Sequence, residues 1–113
     1  MDNKIKKAHL DFDKGASDGA DFVTKYAKDT GVGYPPMEWY NRAIKNVEET
    51  IEVLKAREEP IDYDLGMLFA LKANPSNDFG PLGIYDALKE DGVSHDIAVH
   101  TLLGFVSNTK VAN

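Results

Sequence analysis

The sequence predicts a mainly α-helical protein, with four to five helices in a single domain over residues 1–113. Apolar residues recur at helical spacing through most of the chain, and prolines and glycines fall between those stretches, where they end helices. The composition, 42% hydrophobic and 28% charged, is typical of a globular protein. A short N-terminal strand or hairpin is the one alternative to an all-helical chain.

The N-terminal region carries conflicting signals. Polar and apolar residues alternate within residues 1–15, which favours a short strand. A helix is the alternative, although basic residues near its start and acidic residues near its end would oppose its dipole. Residues 14–19 have the composition of a turn. The next segment favours a helix that Gly31 ends, and its rival is a hairpin strand over residues 20–27. In that helix Phe22, Val23, Tyr26 and Ala27 repeat at helical spacing.

Residues 36–58 give the clearest helix signal in the chain. Pro36 suits the first helical turn, where a missing amide hydrogen costs nothing, and Pro60 follows the end. Five apolar residues fall on one stripe, so we expect this long helix to organise the rest of the domain. The stripe consists of Tyr40, Ile44, Val47, Ile51 and Leu54.

A third helix is predicted through Leu71, with Asp62 or Asp64 as its N-cap. This segment is apolar nearly all round, which is typical of a helix buried between others, and we expect it to be the central core element. Two further helices follow. One begins at Pro81 and the other after Ser94, which is placed to cap it.

The C-terminal half contains clear loop and helix-end signals. Residues 74–80 form a turn-rich loop, and Gly92 is the expected end of the fourth helix. Residues 108–113 are expected to be a frayed tail beyond the last helix.

Charge and composition narrow the function classes. Thirteen Lys plus Arg against nineteen Asp plus Glu give a net charge of −6, which argues against direct nucleic-acid binding and suits a protein partner with a basic surface. No apolar run approaches the ~20 residues that span a membrane, and the charged start of the chain is unlike a signal peptide. The absence of cysteine fits a reducing compartment. We therefore expect a cytoplasmic protein without a cofactor, whose oligomeric state is open.

Large amphipathic and acidic side chains supply the candidate binding residues. Aromatic and long apolar groups near the start of the long helix, outside its stripe, are the residue types that anchor protein interfaces. Acidic residues further along the same helix would attract a basic partner. The leading interpretation is a non-enzymatic binding or regulatory protein, such as an inhibitor or antagonist. The candidate residues are Tyr34, Met37, Glu38, Trp39, Glu48 and Glu49.

Acidic residues on the second and third helices permit an enzymatic alternative. Glu49 and Glu52 form Glu-x-x-Glu, and Asp64 follows after a spacer. Over residues 44–71 this pattern resembles that of the all-helical MazG-type nucleotide pyrophosphohydrolases, Glu-x-x-Glu followed by Glu-x-x-Asp. The resemblance implies magnesium ligands at Glu49, Glu52 and Asp64, and hydrolysis of a nucleoside triphosphate. The last acidic position of that pattern falls on Met67, which cannot bind magnesium.

The stripe of the long helix offers a further alternative. Apolar residues at alternating spacings of four and three are also typical of helices that associate between subunits. A structural helix-bundle oligomer is therefore the second alternative to a binding protein.

Overall fold

All regular structure in the described part of the chain is helical. The computed structural model describes residues 3–31, 35–73 and 81–111, and side chains within residues 6–31, 35–73 and 83–103. A mainly α fold with five helices is as predicted. The helices are α1 Asn3–Thr30, α2 Met37–Ala56, α3 Asp62–Lys72, α4 Pro81–Glu90 and α5 His95–Val111.

The chain divides into two compact units. Unit 1 is Met1–Asn77 and contains α1, α2 and α3, whereas unit 2 is Asp78–Asn113 and contains α4 and α5. The single-domain organisation of residues 1–113 stays a prediction.

The strand favoured within residues 1–15 and the turn over residues 14–19 are wrong, and so is the rival hairpin strand over residues 20–27. The helix favoured for the segment that Gly31 ends is confirmed. Residues 3–30 form one continuous helix of 28 residues, which makes α1 longer than α2. Ion pairs one turn apart support it, and in the shortest of them Lys7 Nζ lies 2.7 Å from Asp11 Oδ2. Such pairs stabilise a helix locally and offset the unfavourable order of charges along α1.

Two glycines that suggest a turn in the sequence serve instead as helix contacts. Gly15 lies where α1 crosses α3, and a Cβ atom there would overlap the carbonyl oxygen of Tyr63. On the other helix, a Cβ atom at Gly66 would overlap the carbonyl oxygen of Phe12. The missing side chains let the two backbones come together, and this packing outweighs the low helix propensity of glycine.

The third helix is the centre of unit 1. It packs against both α1 and α2, and most extensively against α1. The prediction of α3 as the central core element is therefore confirmed, whereas α2 is not the helix on which the others converge. Ile61 occupies the N-cap position, and Asp62 and Asp64 lie in the first turn rather than at the cap. The buried core of unit 1 consists of Phe12, Tyr40, Ile51, Leu65, Leu68 and Leu71.

The second helix ends in a Schellman motif. The amide of Glu59 donates to the carbonyl of Leu54 at 2.9 Å, and the amide of Glu58 donates to the carbonyl of Lys55 at 3.0 Å. Glu58 itself has a φ of 58°, the left-handed conformation that usually selects glycine. The predicted end of this helix is thus correct, but Glu58, the residue directly after the C-cap, is strained there.

Unit 2 follows its sequence signals closely. Gly92 has a φ of 88° and ends α4, and the amide of Ile97 donates to Ser94 Oγ at 3.4 Å at the start of α5. The helix α5 extends to Val111, and the fraying expected of residues 108–113 stays a prediction. No glycine or proline follows Ser107 to end it. Among the described side chains of unit 2, the buried ones are Ile84, Leu88, Val93, Ile97 and Ala98.

No helix in the described ranges combines the length and apolar character needed to cross a membrane.

Candidate functional site

Unit 1 contains a groove lined by aromatic and apolar side chains. It is bordered by α1, α2 and α3, with a volume of about 540 Å³. Concave surfaces of this size, lined mainly by apolar and aromatic side chains, are where proteins usually bind ligands. The lining residues are Phe22, Tyr26, Trp39, Arg42, Ala43, Asn46, Val47, Met67 and Leu71.

An aromatic cluster forms one side of this groove. The ring centroid of Trp39 lies 5.1 Å from that of Phe22 and 5.1 Å from that of Tyr26, and the ring of Tyr40 meets it edge-on at 5.3 Å. Phe22 and Tyr26 lie on the same face of α1 because they are four residues apart. Trp39 reaches them from the first turns of α2.

The most exposed member of the cluster is Phe22. It leaves 53% of its surface open to solvent. Trp39 is half-buried, so it both supports the groove and offers one of its faces to a ligand.

The polar side of the groove comes from two neighbouring residues of α2. Arg42 and Asn46 are one helical turn apart, and both are exposed. Within the described residues, no carboxylate pairs with Arg42. Both side chains can donate hydrogen bonds to a ligand, that of Asn46 can also accept one, and the groove lining contains no acidic group.

The predicted partner-binding residues are only partly gathered at this groove. Trp39 lines it, whereas Met37 and Glu38 lie exposed on the first turn of α2 without lining it. Tyr34 lies outside the described residues. Glu48 and Glu49 are exposed further along α2 and form an acidic surface beyond the groove. Their role in binding stays a prediction.

The proposed magnesium ligands do not form a cluster. Glu49 and Glu52 are exposed on α2, and Asp64 is half-buried in the first turn of α3, where burial raises the pKa of its carboxyl group. In the three described ranges, no group of three or more His, Asp or Glu side chains is arranged to hold a metal ion. Met67, which replaces the last acidic position of the MazG-type pattern, lines the aromatic groove instead.

A polar contact joins α1 to α3 outside the groove lining. The hydroxyl of Tyr63 donates to Asp18 Oδ2 at 2.6 Å, and Lys14 Nζ lies 3.4 Å from the same oxygen. The hydrogen bond to Asp18 raises the pKa of Tyr63 to about 12 and lowers that of Asp18. This contact helps to hold the register of α1 against α3.

The sequence alone does not identify several residues that line the groove. The helical spacing of Phe22 and Tyr26 predicts a helix face but no groove, and no motif singles out Arg42 or Asn46. A usable signal does exist, because Trp39, Arg42 and Asn46 are spaced by three and four residues, off the buried stripe of α2. What the sequence does not reveal is that α1 brings two aromatic rings to that face.

Comparison with protein-family models, with curated proteins and with solved structures finds no match to this chain.

Proposed function

We propose that this is a non-enzymatic protein that binds another protein through the aromatic groove of unit 1 and regulates it, as an inhibitor or antagonist does. The observation that carries the proposal is the half-exposed ring of Phe22 beside Trp39. An aromatic ring left open at the edge of a groove is a ready anchor, because burying it against a partner removes a large apolar area from water.

Charge favours a basic partner. The net charge is −6, and Glu48, Glu49 and Glu52 are exposed together on α2. An acidic surface accelerates the approach of a basic protein and adds less to the final affinity than buried aromatic anchors do. The groove is therefore expected to set the dissociation rate, and the acidic surface the association rate.

The test begins with capture of a partner on the immobilised protein, followed by calorimetry with the purified partner. Phe22→Ser should weaken binding by about thirtyfold, as truncation of a central interface residue does. The matched control is Leu10→Ser, because Leu10 is also on α1 and 60% exposed but does not line the groove. Equal affinities of the two variants would contradict recognition through the groove.

The acidic surface has its own test. Reversing charge at Glu48 and Glu49 together should lower the association rate and weaken its dependence on ionic strength, with little change in dissociation. Because both residues are exposed, the variant is expected to fold normally. An association rate that is unchanged at low salt would remove the acidic surface from the proposal.

A further inference from the structure

The groove also carries a charge that protein binding by apolar anchors does not explain. Arg42 is part of its lining, in a protein whose net charge is −6. Apart from Asn46, the other lining residues are aromatic or apolar. The site thus combines one cation and one amide with an extensive apolar wall.

From this combination we infer that the groove binds a small apolar carboxylate, whose hydrocarbon or aromatic body lies against Trp39 and Phe22 and whose carboxylate pairs with Arg42. The guanidinium group presents parallel donors that match the two oxygens of a carboxylate. Asn46, one turn away, supplies a further donor through its side-chain amide.

Three properties of the groove select this class of ligand. Its volume of about 540 Å³ falls within the usual range for small-molecule sites. A single cation suits one carboxylate better than a multiply charged phosphate group, which would meet a net negative protein with only one arginine to neutralise it. The lining holds no acidic side chain to compete for Arg42, and no described carboxylate pairs with it.

The position of the only tryptophan makes the test direct. Trp39 lies in the groove and is the sole tryptophan of the chain, so its fluorescence reports on ligand contact. The probes are phenylbutyrate, its neutral amide phenylbutyramide, and the cation phenylbutylamine, which share one apolar body. With so few atoms, dissociation constants in the millimolar range are expected.

Phenylbutyrate should bind about threefold to fivefold more tightly than phenylbutyramide, because a charge-assisted pair with the exposed Arg42 adds to the shared apolar contact. Phenylbutylamine should bind more weakly than the amide. A general attraction to the protein surface would give the opposite order, since the net charge of −6 repels anions. The preference for the acid is therefore specific to the groove.

In Arg42→Gln, phenylbutyrate and phenylbutyramide should bind with about equal affinity, and the affinity for phenylbutyramide should be the same as in the wild type. Arg57→Gln is the matched control, because Arg57 lies at the C-cap of α2, does not line the groove, and changes the net charge equally. It should keep the full preference. Equal binding of acid and amide to the wild type, an unchanged preference in Arg42→Gln, or no saturable response of Trp39 would overturn the inference.

No partner protein is present in this titration. If the titration shows no selective binding of the carboxylate, the proposal that the groove binds a protein is unaffected. If no partner protein is captured, the result of the carboxylate titration is equally unaffected.

Discussion

Replacing Gly66 with alanine should show whether the close contact between α1 and α3 contributes more to stability than helix propensity does, because the two effects of the added methyl group have opposite signs. A methyl group at this position would overlap the carbonyl oxygen of Phe12 and lie 2.9 Å from the amide nitrogen of Ala16. Both contacts are backbone atoms of α1, which cannot rotate away as a side chain would. We expect a cost of about 3 kcal/mol, the upper part of the usual range for overpacking, against a gain of about 1 kcal/mol in helix propensity.

The net loss of about 2 kcal/mol should appear in urea unfolding followed by Trp39 fluorescence, which reports on unit 1. The control is Gly83→Ala in α4, because a Cβ atom at Gly83 meets no described atom within 4 Å. Far-ultraviolet circular dichroism should show unit 2 unchanged or slightly more stable in that variant. A Gly66→Ala protein as stable as the wild type would refute close packing of the two helices.

Three further changes test individual contacts. Tyr63→Phe removes the bond that raises the pKa of Tyr63 to about 12 and lowers that of Asp18. Its loss of stability should be largest near neutral pH and should fade as pH falls through the lowered pKa of Asp18 or rises through about 12, as pH-dependent unfolding would show. Glu58→Gly should stabilise unit 1 by about 0.5–1 kcal/mol in urea unfolding, because glycine adopts the φ of 58° without steric cost. Tyr85→Phe should destabilise unit 2 by about 0.5–1 kcal/mol in thermal unfolding, since it removes the 2.8 Å bond between the Tyr85 hydroxyl and His95 Nδ1.

Each of these has a clear contrary result. A penalty for Tyr63→Phe that does not change with pH would show that Asp18 and Tyr63 are not coupled. A loss of stability in Glu58→Gly would mean that the glutamate side chain makes a contact worth more than the backbone strain. Unchanged melting of Tyr85→Phe would mean that water replaces the hydroxyl at no cost.

Helix boundaries that are marked by a proline or a glycine could be predicted from the sequence. Pro36 and Pro81 mark helix starts, Gly31 and Gly92 mark helix ends, and each depends only on the backbone near it. The wrong prediction of a turn over residues 14–19 has a different cause. A glycine that serves a contact with a distant helix has the same local signature as a glycine in a turn, so only the packing of α3 distinguishes them.

The site was less predictable than the fold. Trp39 could be chosen because a large amphipathic residue off the buried stripe needs a partner surface. Phe22 could not be predicted as a site residue, because its helical spacing is the same whether its face of α1 is buried or exposed to solvent. The groove requires α1 to run unbroken past its glycines, and that depends on tertiary contacts that no local pattern encodes.

The central claim, that the groove of unit 1 is the recognition surface, is tested most directly by the fluorescence of Trp39 on adding the purified partner. Binding at the groove should shift the emission to the blue and protect the indole ring from acrylamide quenching, with both changes saturating at a fixed ratio of the two proteins. Stable binding of the partner that leaves the emission and the quenching of Trp39 unchanged would contradict the claim, because the partner would then occupy another surface.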